Sequence, residues 1–166
     1  AARGDRTVGE YIDTSGKVVM TLDCKVNHCF KYGLARVALA DDQWGFIDKA
    51  GRWAIYPYFQ YASEFSEGLA AARINGKYGF IFTNGNWAIE PQYDNASIFS
   101  YGLAAVAKDN QWGYIDKTGR LIIPFTFDFP GYFSEGLAGV GVGEETGYID
   151  ITGKFVIPPQ SYGGHP

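Results

Sequence analysis

The sequence predicts an all-β fold made of a tandem repeat of about 34 residues, each copy a three-stranded antiparallel meander. Three observations predict it. Gly-Leu-Ala recurs at Gly33, Gly68, Gly102 and Gly136, in steps of 35, 34 and 34 residues. A second glycine series, Gly16, Gly51, Gly85, Gly119 and Gly153, keeps steps of 35, 34, 34 and 34, and its first four members each lie 17 residues before a Gly-Leu-Ala glycine. The third is composition: 22 Gly with 12 Phe, 12 Tyr and 4 Trp in 166 residues. That is the chemistry of short strands joined by tight turns.

The strands follow in order. In the third Gly-Leu-Ala copy, an A strand runs over 102–108, Asp109-Asn110 turn it, a B strand covers 111–116, and a C strand covers 120–123. In the previous copy the A–B turn is Asn75-Gly76, a pair in which both residues tolerate positive φ. The B–C turn is Asp-x-x-Gly, as in Asp116-Lys117-Thr118-Gly119. Its Asp can accept backbone N–H bonds, and its Gly, like Gly85 one unit earlier, is expected at positive φ. A proline is expected to stop strand C, and about ten residues of loop then lead to the next A strand. Alternation puts Ala104 with Val106, Trp44 with Phe46, and Trp53 with Ile55 on shared faces. The one extra residue of the first unit is assigned to the turn at Asp41-Asp42-Gln43.

A meander this small cannot bury a core alone, so units must stack. Five B–C hairpins stand against four A strands, and both ends offer the same B–C piece. This favours an open, solenoid-like array over a closed, propeller-like ring. Residues 1–166 read as one domain, with 160–166 expected to be a disordered tail. The start at Ala1-Ala2-Arg3 without Met predicts a processed or excised chain.

The anchors frame a signature: Trp44-Gly45-Phe46-Ile47-Asp48-Lys49-Ala50-Gly51 and Trp112-Gly113-Tyr114-Ile115-Asp116-Lys117-Thr118-Gly119. Degenerate copies begin at Tyr78-Gly79 and Thr146-Gly147, and Gly9-Glu10 replaces the pair at the start. Ile-x-Pro segments and Phe-Ser-Glu-Gly-Leu-Ala tracts at Phe65 and Phe133 complete the pattern. Over roughly 150 residues this resembles the WG-repeat family of bacterial proteins. The resemblance implies a repeat module with no assigned catalytic activity. The altered end copies suggest caps.

Composition restricts function. The net charge is −4, with 14 Lys plus Arg against 18 Asp plus Glu and no basic stripe, which argues against a nucleic-acid surface. No apolar run approaches a membrane span. The histidines are only His28 and His165, with no Cys/His cluster, so no metal site and no cofactor are expected. The recurring Asp13, Asp48, Asp116 and Asp150 read as turn residues, and no paired acid–base carboxylates can be picked out. No Ser-His-Asp set or phosphate loop is present either, so an enzyme is not expected. Cys24 and Cys29 lie in the loop of the first unit, and a disulfide between them is predicted, which would suit an extracytoplasmic or secreted protein.

Most aromatics occupy repeat positions and predict a core ladder. Those off the repeat include Tyr32, Tyr56, Tyr58, Tyr61, Tyr101 and Tyr132, several of them assigned to the loops before strand A. Loop tyrosines offer large contact area at low entropic cost, so these six are the candidate binding residues. The function expected is a non-catalytic module binding a protein partner or surface polymer. Carbohydrate recognition is the alternative, and a glycoside hydrolase ranks behind both.

Overall fold

The computed structural model describes residues 8–12, 15–23, 26, 27 and 29–161, and among these there is no helix. The strands are β1 (Val8–Ile12), β2 (Val18–Asp23), β3 (Val26–Asn27), β4 (Leu34–Ala40), β5 (Gln43–Asp48) and β6 (Trp53–Phe59). Next come β7 (Tyr61–Ala62), β8 (Leu69–Ile74), β9 (Lys77–Phe82), β10 (Trp87–Tyr93), β11 (Asn95–Ala96) and β12 (Leu103–Lys108). The last five are β13 (Gln111–Asp116), β14 (Leu121–Phe127), β15 (Leu137–Val142), β16 (Glu145–Asp150) and β17 (Phe155–Gln160). They form a series of antiparallel sheets: β1-β2, β3-β4-β5-β6, β7-β8-β9-β10, β11-β12-β13-β14 and β15-β16-β17. From β3-β4-β5-β6 onward each sheet packs on the next, C strand against the following A strand, and the outer face of the last sheet is exposed, so the series is open.

Three central units have four strands rather than three. The segment expected to be loop contributes an edge strand, as when Tyr61 and Ala62 pair with Arg73 and Ala72. It runs on through Ser63, whose buried hydroxyl accepts from Ala71 N at 2.9 Å, to a tight turn at Glu67-Gly68. Four such turns precede the A strands. Tyr32, Glu67, Tyr101 and Glu135 have φ of 53°, 51°, 54° and 51°, each followed by a glycine with positive φ. Ser66 and Leu69 exchange backbone bonds across the turn, which makes it a two-residue hairpin of the primed type.

Proline does not stop strand C. β6 and β10 run through Pro57 and Pro91. Between Ile89 and Tyr93 the register against β9 slips, because Ile89 faces Phe80 and Tyr93 faces Tyr78. Proline lacks the N–H a ladder needs, and a bulge on an edge strand removes that need. The bulge also explains the Gly of the Trp-Gly pair. A Cβ on Gly79 would lie 2.4 Å from Ile89 O and 2.8 Å from Pro91 N, and Gly45 and Gly113 meet the same backbone in their units. The bulged C strand presses onto the B strand where only glycine fits.

A second slip in the C strand separates residues expected to share a face. Trp53 pairs with Ile47 and packs with Ala35 and Val37, whereas Ile55 pairs with Phe46 and faces the following sheet. The extra residue of the first unit is Leu39, not part of a longer turn. Ala38 faces Trp44 and Ala40 faces Gln43, so exposed Leu39 is bulged out next to a two-residue turn at Asp41-Asp42.

The core consists of inter-sheet layers. Phe65 meets Phe46 at 4.8 Å, Phe99 meets Phe80 at 4.8 Å, and Phe133 meets Tyr114 at 5.2 Å between ring centroids. Small residues on the facing A strand, such as Ala70 and Ala72, admit these rings. The aromatic ladder therefore holds through the central units, but Tyr148 and Phe155 of the last sheet are exposed. Gln160 closes β17, and residues 162–166 of the expected tail lie outside the described residues.

Candidate functional site: aromatic grooves between sheets

The A–B turns lie at one end of the sheets, the Tyr/Glu-Gly and Asp-x-x-Gly turns at the other. This separates the six candidate tyrosines. Tyr32 and Tyr101 open the turns before A strands and are exposed. The Tyr101 hydroxyl accepts from Glu135 N at 3.0 Å, in the matching turn of the next unit. Glu67, one unit earlier, accepts from Gly102 N at 3.2 Å and pairs with Lys117 at 3.0 Å. This position therefore links neighbouring units. Tyr56 and Tyr58 are in β6, not in a loop, and project from its exposed face. The Tyr58 ring lies 4.1 Å from that of Phe59, and burial raises its phenol pKa.

Tyr61 and Tyr132 line grooves at the A–B end. Pairing of β7 with β8 places half-buried Tyr61 between two sheets, its ring 5.9 Å from Trp44 of the previous unit and 5.9 Å from Tyr78 of its own. Two arginines join them. The Arg36 guanidinium sits 4.5 Å from the Trp44 centroid and 5.7 Å from that of Tyr61, and its Nη1 donates to Ala62 O at 2.6 Å. The Arg73 guanidinium lies 5.7 Å from the Tyr78 centroid, a cation–π arrangement. Its Nε is buried and makes no hydrogen bond in this structure. Burial raises the Tyr78 phenol pKa.

Two units on, the groove is empty. Ala105 stands in the repeat position of Arg36 two units on, and Asn95 in that of Tyr61 one unit on. The result is a cleft of about 200 Å³ lined by Asn95, Ser97, Ala105, Trp112, Pro130 and Tyr132, among others. Its outer wall is fixed. Buried Tyr114 donates its hydroxyl to Gly131 O at 2.9 Å, and burial pushes that phenol up to about 12. A Cβ on Gly131 would lie 2.1 Å from Gly139 O, so this loop sits directly on β15.

The structure thus brings Tyr61 together with Trp44 and Tyr78, and Tyr132 with Trp112. Tyr32 and Tyr101 lie at the opposite end of the sheets. The groups that sequence reasoning passed over are Arg36 and Arg73. Their signal is legible, since each is an arginine in an A strand where other units carry Ala or Gly.

The recurring aspartates Asp48, Asp116 and Asp150 sit in turns, while Asp13 lies outside the described residues. Asp116 Oδ1 accepts from Thr118 N at 2.9 Å, Thr118 Oγ1 at 2.6 Å and Arg120 N at 3.1 Å, and Asp48 and Asp150 do the same work in their units. Where Phe82 replaces the Asp, Asn84 Oδ1 accepts from Asn86 N at 3.0 Å. Among the described residues no group of three or more His, Cys, Asp and Glu converges to hold a metal. Cys29 is exposed, but Cys24, His28 and His165 lie outside the described residues, and with Cys24 the predicted disulfide. No described helix is long and apolar enough to cross a membrane.

Solved structures share the fold at low identity. The chain is similar to the computationally designed Ika8 protein, with TM-score 0.57 and 12% identity over 88% of this chain and 53% of that one. It is similar to BamB from Moraxella catarrhalis, with TM-score 0.56 and 11% identity over 97% of this chain and 62% of that one. For the designed Ika4 protein the TM-score is 0.53 at 14% identity, over 74% and 88% of the two chains. The chain thus spans about half the length of Ika8. No curated protein matches it in sequence. The model of the WG containing repeat matches residues 44–78, 78–112, 112–144 and 147–161, each match opening at or just after the Trp-Gly position whose glycine the bulged C strand requires. On those four consecutive matches, the chain belongs to the WG containing repeat family.

Proposed function

We propose that this chain is a non-catalytic binding module whose recognition surface is the line of inter-sheet grooves at the A–B end, and that its partner is a protein. One observation carries the reading: Trp44, Tyr61 and Tyr78 form a half-buried aromatic cluster across two sheets with Arg36 and Arg73 against the rings. Aromatic and arginine side chains held rigid on strands are the groups that dominate protein interfaces. Arg73 Nε also remains as a buried donor for an acceptor to satisfy. The carboxylates argue against acid–base chemistry, since Asp48, Asp116 and Asp150 are engaged in turns and Glu67 ties one unit to the next.

The cleft between Trp112 and Tyr132 favours a second reading, a sugar subsite. Its aromatic walls and the Asn95 amide match how pyranose rings are stacked and their hydroxyls fixed. The test is a tagged chain used to capture protein from the cells that make it, beside electrophoresis through polysaccharide gels. Capture of a discrete protein, lost by about tenfold or more in Tyr61→Ala and Arg73→Ala but kept in Tyr32→Ala, supports the first reading. Retardation by polysaccharide that Trp112→Ala abolishes supports the second. Binding indifferent to all three groove substitutions overturns both.

A further inference from the structure

The A–B grooves differ in one group, a guanidinium. The first three full sheets each present a large ring near the start of the B strand, Trp44, Tyr78 and Trp112 in turn. In the first two, the chain sets an arginine of the neighbouring A strand against that ring. Arg36 stands 4.5 Å from the Trp44 centroid, and its Nη1 donates to Ala62 O of the next sheet at 2.6 Å. Arg73 lies 5.7 Å from the Tyr78 centroid, in a row of paired residues that reads Tyr61, Arg73, Tyr78. The two arginines occupy different repeat positions. Arg36 aligns with Ala71 and Ala105, and Arg73 aligns with Ala38 and Ala107. The third full sheet therefore has alanine at both, and its row reads Asn95, Ala107, Trp112. In place of the arginine is the cleft of about 200 Å³, with half-buried Trp112 in its wall. Pro130 lines the same cleft, and it stands in the repeat position of Ala62, the residue whose carbonyl accepts from Arg36.

We propose that this cleft binds the guanidinium of an arginine side chain on the partner protein, completing the third groove as Arg36 completes the first. The inference rests on the reading of the A–B grooves as a protein-binding surface. The chain itself selects the occupant: two equivalent grooves hold a guanidinium beside the ring, and the third keeps the ring and drops the cation. A guanidinium suits such a place because it is planar, weakly hydrated and stacks on an indole face while its N–H groups reach acceptors at the ring edge. Trp112 supplies the face, and the Pro130 carbonyl and the Asn95 amide are the acceptors at hand. The net charge of −4 favours the approach of a basic segment. The same template ranks the cation above a neutral sugar for this cleft, since both occupied grooves pair their ring with a positive charge.

The experiment is nuclear magnetic resonance of the nitrogen-labelled chain, read at the indole N–H signals of its four tryptophans. The probe is N-acetyl-arginine methylamide, beside its citrulline analogue, which keeps the shape without the charge, and methyl glucoside. The arginine compound should shift the Trp112 signal, identified by its loss in Trp112→Phe, and the citrulline analogue should bind at least about fivefold more weakly. Ala105→Arg, patterned on Arg36, should fill the cleft from within and abolish the response. Ala107→Arg, patterned on Arg73, makes the same test from the neighbouring position, and circular dichroism melts check that both variants fold. A Trp112 signal indifferent to the arginine compound overturns the proposal, as does an equal response to citrulline or binding that survives both alanine substitutions. A response to methyl glucoside alone also overturns it and gives the cleft to a sugar. Partner capture that needs Tyr61 and Arg73 while Trp112 ignores arginine would sink the cation site and leave the groove surface standing.

Discussion

The second full sheet, β7-β8-β9-β10, and the last, β15-β16-β17, are cut from one repeat, yet only the second is covered on both faces. Phe80 and Tyr148 occupy the same place in the B strand, as do Ile89 and Ile157 in the C strand. Their local pairings also match, Phe80 with Ile89 and Tyr148 with Ile157. The backbone of a unit is therefore set by its own sequence, while burial is set by the neighbour. In such an array, stability is a sum of intrinsic terms and nearest-neighbour interfaces, and at these matched positions the two sheets differ in the second term.

The largest effect expected from this difference is at the aromatic layer. Phe80→Ala should destabilise the protein by about 3–5 kcal/mol, because a fully buried ring is lost and its cavity persists against Phe99. Tyr148→Ala should cost under about 1 kcal/mol, because that ring is exposed. Urea denaturation of both variants makes the comparison. Equal losses would break it.

A smaller effect is expected at the signature glycines. On Gly79, a methyl would strike the backbone of β10 at 2.4 Å from Ile89 O, and β10 is held from behind by the next sheet. Gly79→Ala should cost roughly 1–3 kcal/mol by overpacking. On Gly147 the methyl meets Phe155 Cε1 at 2.8 Å and Ile157 O at 2.9 Å. Among the described residues no sheet lies behind β17, so the strand can retreat, and Gly147→Ala should lower the melting temperature by less than half as much. If the two shifts match, the glycine requirement is internal to the unit and owes nothing to the neighbour.

Much of this architecture was readable because period and turn chemistry are local. Gly85 sits at φ 85° and Asn75-Gly76 at 50° and 77°, as the turn types demand. What sequence alone did not reveal depends on strand partners. The bulges that separate Trp53 from Ile55 and carry β10 through Pro91 exist only relative to the B strand, and alternation within one strand cannot show them. The edge strand at Tyr61-Ala62 is too short to announce itself by pattern. The candidate site was half legible. Tyr61 and Tyr132 stood out as aromatics off the repeat, but the groove that joins Tyr61 to Trp44, Arg36 and Arg73 spans two units. Tyr32 and Tyr101 stood out equally and lie at the far end, because the signal marks departure from the repeat and not position in space.

The smallest effect concerns a feature in which central and terminal units should not differ. Asp116 and Asp150 hold the B–C turn in the third and last units with matching partners, Thr118 and Arg120 in one, Thr152 and Lys154 in the other. In both, the threonine hydroxyl bond is the main cause that lowers the carboxyl pKa below its ordinary value of 3.8. A carboxylate whose folded pKa is lowered contributes stability that is fully present above the unfolded value and lost as pH falls through the folded one. These turns should therefore add nothing to the pH dependence between about pH 7 and pH 5, and should weaken below about pH 4. Both groups are solvent-exposed, so each contribution is small. Melting curves of Asp116→Asn and Asp150→Asn should each recover part of the acid-induced drop, and by the same amount. The second full unit, with Phe82 at this position, has no carboxylate there to titrate. A clearly larger recovery for Asp116→Asn would mean that even the turns feel the neighbouring sheet, and the division between local backbone and neighbour-dependent burial would have to be redrawn.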